Sequence, residues 1–315
     1  MAHSVIQANQ ELLAKAANYY KSSSISKLPA GAVFSAKIDG CTITGYKSGK
    51  ILFQGRLAEA EAQRWGTSEA PASKPKTASS AKTVSGFAPP PNIASLSAIG
   101  SDEVGTGDYF GPMTVVAAYV SKENIPLIKE MGARDSKGLK DPQIIEIAKQ
   151  LIHAVPYSLL VLKNEKYNEL QKKGMTQGKM KAWLHNQAIS HLTRKISPEE
   201  PEAILIDQFV DPNIYYSHLK GQTFSKKNTY FSTKAEGVHL AVAAASIIAR
   251  YSFVKEFEKL SEKAGMILPK GAGRQVDEAA AKLIEKNGVQ DLGIYAKTHF
   301  ANTQKALDLV SRKRK

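Results

Sequence analysis

The sequence predicts an α/β protein with a small amino-terminal α+β unit and a larger unit built around a mixed sheet flanked by helices. Segments with the two-residue period of strands alternate with segments that have the 3.6-residue period of helices. The chain of 315 residues is long enough for two domains. Residues 67–92 are rich in Pro, Ser, Thr and Ala, so we expect a flexible linker between units at 1–66 and 93–315.

The small unit has four segments typical of strands and two typical of helices. The expected strands are 4–8, Ala32–Ile38, 41–47 and Lys50–Gln54, and the expected helices follow Asn9, a suitable cap, and cover 57–65. Side chains alternate along strands, so one face is apolar and packs on the helices. The other is predicted to carry Ser35, Lys37, Thr42, Thr44, Tyr46, Lys50 and Gln54. The pattern leaves open whether this second face is simply solvated or binds a partner.

The large unit shows apolar strand segments separated by amphipathic helical segments. Strands are expected at 97–101, Met113–Val120, Tyr157–Leu162 and 203–206, and helices at Asp141–Ala154, 179–196, 238–263, 277–286 and 301–310. The order of these segments favours a mixed sheet with helices around it.

Charge and cysteine content narrow the partners and the chemistry. The formal net charge of +14 favours a polyanion such as nucleic acid as the partner. With a single cysteine, Cys41, the chain has no internal disulfide, and any metal must be held by oxygen or nitrogen. We find no long apolar run and no leader-like amino terminus, so we expect a cytoplasmic protein without a membrane partner.

The most informative segment is 97–112, SAIGSDEVGTGDYFGP. A short apolar strand ends in the adjacent carboxylates of Asp102 and Glu103, and a glycine-rich turn follows. This turn is not a dinucleotide fingerprint, because the third glycine is Gly111 and Pro112 and another strand come next instead of a helix.

Two further acids stand at the ends of predicted elements. Asp207 ends the apolar run AILI, and Glu236 precedes a helix rich in Ala and Ile. Taken alone, Asp207 could be a turn former, and Glu236 could be a favourable charge at a helix start. Together with Asp102 and Glu103 they could meet at one sheet edge, where clustered carboxylates persist mainly when a cation neutralises them. Hard divalent ions such as Mg²⁺ or Mn²⁺ prefer these ligands and support chemistry on phosphates.

At this point the residues resemble a known family. The runs DEVGTGDYFGP, ARDSKGL, ILIDQF, KAEGVHLAVAAASIIAR and THFANTQKAL are similar to those of the bacterial ribonucleases HIII, a branch of the type 2 ribonucleases H. The resemblance covers nearly the whole chain and implies a ribonuclease H-like fold. It also implies that the small unit is a substrate-binding domain related to the TATA-binding protein. Thr106 and Glu236 stand where ribonuclease HII typically has Arg and Asp, and both departures favour the HIII branch.

The resemblance also implies an activity. Members hydrolyse the RNA strand of RNA/DNA hybrids, leave 5′-phosphate and 3′-hydroxyl ends, and serve DNA replication and repair. The implied metal-binding catalytic acids, for Mg²⁺ or Mn²⁺, are Asp102, Glu103, Asp207 and Glu236. We expect a monomer whose implied substrate contacts are Gly105, Thr106 and Gly107 at a ribose 2′-hydroxyl, Ser136 and Lys137 at a phosphate, and Thr44, Tyr46 and Lys50 in the small unit.

Other interpretations of these residues stay open. The glycines could form a bare turn, and Lys137 could be an exposed loop charge. Five lysines could line a phosphate track or be merely solvated: Lys179, Lys181, Lys226, Lys227 and Lys234. His299 could touch substrate or make a structural hydrogen bond. The alternative to a nuclease is a non-catalytic nucleic-acid-binding protein whose acids are structural.

Overall fold

The structure is a computed structural model that describes residues 3–26, 28–66, 86–133 and 138–313. Ser136, Lys137 and residues 67–85 of the predicted linker lie outside the described residues. Within the described ranges, no helix is long and apolar enough to cross a membrane.

The small unit is an antiparallel sheet covered on one face by two helices. Its elements are β1 (His3–Gln7), α1 (Gln10–Tyr19), β2 (Ala32–Ile38), β3 (Cys41–Tyr46), β4 (Lys50–Gln54) and α2 (Ala58–Gln63). The strand order is β1-β4-β3-β2. The Asn9 side chain accepts a hydrogen bond from the Leu12 amide at 2.8 Å, which confirms the predicted helix cap. The α+β prediction for this unit is therefore confirmed.

Strand alternation places the apolar side chains of this sheet toward the helices, as predicted. Ile43, Ile51 and Phe53 are fully buried in a cluster that includes Ala16 of α1 and Ala58 of α2. This cluster is the core of the small unit.

The opposite face of this sheet packs against the large unit. Tyr46 and Leu52 are fully buried in the same cluster as side chains of the large unit. The Tyr46 hydroxyl donates to Gln150 Oε1 at 2.8 Å, and the Lys50 ammonium donates to Asn124 Oδ1. This face is an internal contact and not a solvated surface.

The burial contradicts the prediction that Thr44, Tyr46 and Lys50 contact substrate, because all three are buried. The sequence signal for this packing is Leu52, an apolar residue that alternation places between Lys50 and Gln54 on the supposedly polar face. An apolar side chain in the middle of that face favours covering it.

The large unit contains a five-stranded mixed sheet. Its strands are β5 (Ala98–Val104), β6 (Met113–Val120), β7 (Tyr157–Leu162), β8 (Ala203–Asp207) and β9 (Thr229–Ser232). The order is β7-β6-β5-β8-β9, in which β5, β8 and β9 are parallel and β6 is antiparallel to both β5 and β7. The predicted mixed sheet is confirmed, with β9 as an unpredicted edge strand.

Nine helices are described in the large unit. They are α3 (Ile125–Glu130), α4 (Asp141–Ala154), α5 (Asn164–Lys172), α6 (Gln177–Ile196), α7 (Pro212–His218), α8 (Leu240–Ala264), α9 (Arg274–Asn287), α10 (Leu292–Tyr295) and α11 (Ala301–Lys313). Helices α4 and α8 cover one face of the sheet, and α6 and α7 cover the other. Helix α8 lies so close to β5 that a Cβ atom on Gly100 would be 2.2 Å from the Val242 amide nitrogen.

The chain is already packed on the large unit before the predicted end of the linker at residue 92. The Phe87 ring contacts the rings of Tyr216 and Phe231, with centroids 5.3 and 5.9 Å apart. Its carbonyl also accepts a hydrogen bond from the Phe231 amide at 2.8 Å. Phe87 therefore belongs to the packing of the large unit and not to a flexible connection.

The contact between the two units predicts a stability difference between two tyrosines of the small unit. We expect Tyr46→Ala to lower the free energy of unfolding by about 3–5 kcal/mol, since it empties a fully buried site between the units. Tyr19→Ala is the matched control, because the Tyr19 side chain is 58% exposed and should cost less than about 1 kcal/mol. Urea denaturation checks both. Equal, small effects would mean that the units do not pack through this face.

Candidate active site

Three elements of the large unit bring the predicted acids to one edge of its sheet. Asp102 and Glu103 lie near the end of β5, and Asp207 is the last residue of β8. Because β5 and β8 are parallel, their carboxyl ends meet at the same edge. Glu236 lies in the short turn Ala235–Gly237, just before α8. A hydrogen bond of 2.8 Å from the Ala235 amide to Asp207 Oδ1 ties this turn to β8.

Asp102 lies at the centre of this arrangement and is 8% exposed. The pKa of Asp102 is raised to about 8. Burial is the largest cause, the negative charge of Glu103 is the next, and the negative charge of Asp207 contributes less. A hydrogen bond from Ser246 of α8 partly opposes this rise. The Ser246 hydroxyl also lies 3.3 Å from Glu236 Oε2, so its one proton is placed between Asp102 and Glu236 and can be donated to either. Ionised Asp102 is therefore held in an unfavourable environment that a nearby cation would relieve.

Glu103 points to the other face of the sheet, because consecutive side chains of a strand alternate. Its strand partner Val115 packs on the α6 side, whereas Val116, the partner of Asp102, packs on the α8 side. Lys181 Nζ lies 2.6 Å from Glu103 Oε1, and His185 Nε2 lies 2.9 Å from Glu103 Oε2. Burial alone would raise the pKa of Glu103, but these two partners outweigh it and hold the pKa below its usual value.

The ion pair between Lys181 and Glu103 bears on the predicted phosphate track of lysines. The Lys181 side chain is only 13% exposed and pairs with Glu103, so it does not belong to an open phosphate track.

The four acids have the ligand atoms that a hard divalent ion prefers, but their side chains do not surround one point. In the described part of the chain, no three His, Cys, Asp or Glu side chains are arranged to hold a metal. The alternation of β5 accounts for the position of Glu103, which it sends toward α6 while Asp102 faces α8. All four side chains offer carboxylate oxygens, the ligands that Mg²⁺ and Mn²⁺ prefer.

The two glycines of the predicted 2′-hydroxyl contact have different surroundings. Gly105 has φ +94°, and a Cβ atom there would be 2.2 Å from the Pro112 carbonyl oxygen, so the local fold itself requires this glycine. Gly107 is exposed, and a Cβ there would meet nothing within 4 Å. The Thr106 carbonyl accepts a hydrogen bond from Gln177 Nε2 at 3.0 Å. Of these residues, Gly107 is the one whose backbone is open to a ligand.

Lys297 holds the glycine-rich loop through hydrogen bonds, a role that the sequence did not predict. Its side chain is fully buried, and its ammonium donates to the carbonyls of Asp108 at 2.8 Å and Gly111 at 2.6 Å. Burial lowers its pKa to about 8, against a smaller opposite effect of Asp108. His299, two residues later, stacks on the Tyr167 ring with centroids 5.5 Å apart. Lys297 therefore fixes the glycine-rich loop through backbone contacts, and His299 makes a packing contact.

Sequence reasoning also missed Ser246 and His185, although both leave a signal. Ser246 is the lone polar residue in the run AVAAASIIA of a buried helix, where a hydroxyl needs a partner. His185 follows Lys181 by one helical turn, so both face the same strand.

The chain is similar to known proteins over its full length. A family model described as ribonuclease HII matches residues 99–303, and one described as a domain of unknown function matches residues 3–80. The chain is 63% identical to ribonuclease HIII of Bacillus subtilis (strain 168) over 314 residues, 100% of both chains. It is 61% identical to ribonuclease HIII of Bacillus velezensis over the same length and share. The crystal structure of Bst-RNase HIII in complex with Mn²⁺ matches with a TM-score of 0.69 and 46% identity, covering 99% of this chain and 100% of that one.

The mixed sheet with its flanking helices, together with these matches, makes the chain a type 2 ribonuclease H and confirms the predicted ribonuclease H-like fold. Identity above 60% over the full length settles the branch. The chain belongs to the ribonuclease HIII family, as its motifs predicted.

The buried lysine below the glycine-rich loop predicts a pH dependence. The pKa of Lys297 is about 8 in the folded protein, against 10.5 as its ordinary value. Between these values the unfolded chain binds more protons, so the contribution of Lys297 to stability rises as pH rises. From pH 7.5 to 9.5, we expect the wild-type free energy of unfolding to gain about 2 kcal/mol relative to that of Lys297→Met.

Urea denaturation of both proteins at both pH values measures this gain. Every other titrating group is shared, so the difference between the proteins isolates Lys297. A difference that is the same at both pH values would show that Lys297 is not held with a lowered pKa.

Proposed function

We propose that this chain hydrolyses the RNA strand of RNA/DNA hybrids with divalent ions held by Asp102, Glu103, Asp207 and Glu236, leaving 5′-phosphate and 3′-hydroxyl ends. The observation that carries the proposal is the burial of Asp102 beside two further acids, which raises its pKa to about 8. Such an arrangement is costly for stability and is typical of functional sites. The net charge of +14 supports a polyanionic substrate.

We assign each acid its role from its place in the fold. Asp102 and Asp207 would bind from the two parallel strand ends, and Glu236 from the turn before α8. Ser246 orients Asp102 and Glu236, and the Ala235 amide orients Asp207. Divalent ions held by these acids would activate a water molecule and stabilise the leaving oxygen at the scissile phosphate. Bst-RNase HIII, whose crystal structure is a complex with Mn²⁺, supports the choice of ion.

Substrate recognition is proposed at the glycine-rich loop. The exposed Gly107 would let backbone groups approach a ribose 2′-hydroxyl, the group that distinguishes RNA from DNA. Gln177 and Lys297 hold the loop by its carbonyl groups and so keep the Thr106 and Gly107 backbone in place. The fixed loop would therefore contact the ribose 2′-hydroxyl groups in the minor groove without changing its own conformation.

We further propose that residues 1–66 bind substrate, that 93–315, with Phe87 packed on them, form the catalytic domain, and that the protein acts as a monomer in the cytoplasm. Since Thr44, Tyr46 and Lys50 are buried, the small unit must meet the duplex with another surface. The free, buried Cys41 thiol is compatible with a reducing compartment. The non-catalytic alternative leaves the costly burial of Asp102 without a function.

Replacing Asp207 tests the proposal. We expect Asp207→Asn to reduce hybrid cleavage at saturating Mg²⁺ by at least about 100-fold, because an amide is a poorer ligand for a hard cation. Its Oδ1 can still accept the Ala235 amide, so the fold and hybrid binding should persist. Asp211→Asn is the matched control, since Asp211 is exposed and its carboxylate caps α7 through the Asn213 amide.

A labelled RNA/DNA hybrid, incubated with and without a chelator, measures cleavage in each protein. Wild-type and Asp211→Asn cleavage should be chelator-sensitive. Near-normal turnover by Asp207→Asn would remove Asp207 from the site, and cleavage that survives the chelator would remove the metal.

A further inference from the structure

Both oxygens of the Glu103 carboxylate are already engaged. Lys181 Nζ donates a hydrogen bond to Oε1 at 2.6 Å, and His185 Nε2 lies 2.9 Å from Oε2. The pair is enclosed, with side-chain exposures of 13% for Lys181, 9% for Glu103 and 0% for His185. The Coulomb attraction in an ion pair shielded from water is stronger than in one on the surface, so breaking such a pair by removing one partner is costly.

The two partners of Glu103 are themselves fixed. Lys181 and His185 are one helical turn apart on α6, so both reach the same strand. His185 Nδ1 lies 2.7 Å from Ser101 Oγ, and its ring stacks on Phe209 with centroids 5.2 Å apart. The Lys181 ammonium lies 4.0 Å from the centre of the same Phe209 ring. These contacts fix the positions of Lys181 and His185, which together hold the Glu103 carboxylate.

On the basis of the proposed metal site, we propose that Lys181 is a positioning residue that competes with the divalent ion for Glu103 and so sets the affinity of the site. In the protein without metal, the Lys181 ammonium neutralises Glu103 and holds it on the α6 side. For Glu103 to become a ligand, its carboxylate must give up or share one of these contacts. Metal binding and the ion pair with Lys181 then exclude or weaken each other.

The charges determine the direction of the effect. A fixed ammonium beside the site repels a divalent cation and retains one of its ligands, so it lowers metal affinity. Removing the ammonium leaves the Glu103 charge buried near Asp102 with only one of its two partners, His185, which destabilises the metal-free protein. The divalent ion would then relieve a larger repulsion. Loss of Lys181 should therefore weaken the metal-free fold and tighten metal binding together.

Lys181→Met tests this competition. Methionine keeps an apolar stem against Phe209 and removes the charge. We expect Mn²⁺ to bind the full-length variant on the order of tenfold more tightly than wild type in calorimetric titration, within the range by which groups around metal ligands change affinity. Lys181→Arg, which keeps a positive charge, should restore affinity toward that of wild type.

Lys179→Met is the matched control on the same helix. Its ammonium lies 5.5 Å from the centre of the Trp183 ring and does not pair with Glu103. Its Mn²⁺ affinity should equal that of wild type. A lysine with a merely structural role would lower the melting temperature of the metal-free protein without tightening Mn²⁺ binding.

The same titrations separate failure of this inference from failure of the proposed site. If Asp207→Asn weakens Mn²⁺ binding while Lys181→Met leaves it unchanged or weaker, the site stands and the competition is wrong. If wild type binds no Mn²⁺, or Asp207→Asn binds it normally, the proposed site itself fails and the competition fails with it. Should Lys181→Met not fold, Lys181→Gln takes its place with the same expected and contradicting results.

Discussion

The parallel pairing of β5 with β8 is the constraint on which the site depends. It starts at Ala98 and Ala203 and continues to Ser101 and Ile206, so the residues that follow, Asp102 and Asp207, reach the same edge. Hydrophobic burial of both strands under α8 enforces the register, since a one-residue slip would exchange the faces of every side chain. The core thereby forces like charges together, and the surrounding residues compensate for that repulsion.

The compensation is divided between the two faces of the sheet. On the α8 side, Ser246 and the Ala235 amide hold the acids with hydrogen bonds but supply no positive charge. On the α6 side, Lys181 neutralises Glu103 directly. This asymmetry explains why the pKa of Asp102 is raised while that of Glu103 is lowered, although the two residues are adjacent. The α8 face, where the two hydrogen-bond partners named above are uncharged, is the one where a metal would contribute most.

Much of the fold could be predicted from the sequence. The strands Met113–Val120 and Tyr157–Leu162 and the helix Asp141–Ala154 have the predicted bounds, because long apolar or amphipathic runs determine them locally. The edge strand Thr229–Ser232 was missed, since four residues are too few to show a period. The faces of the small sheet were assigned by its polar residues, and the packing that follows from Leu52 involves a unit distant in sequence.

The candidate site was predicted less completely. The four acids stand at the ends of recognisable elements, and a family resemblance joined them. The partners of those acids, among them His185 and Lys181, depend on which face of a helix meets which strand. Lys297 is hidden for the same reason, since a buried lysine is indistinguishable in sequence from a solvated one until its carbonyl partners are placed.

The central claim is that the carboxylates at the β5–β8 edge hold a divalent ion. Diffraction from crystals of the full chain grown with Mn²⁺, recorded at the manganese absorption edge, locates the ion directly. We expect anomalous density in contact with Asp102, Glu103, Asp207 and Glu236. Manganese bound elsewhere, with these carboxylates empty in a protein that cleaves RNA/DNA hybrids, would contradict it.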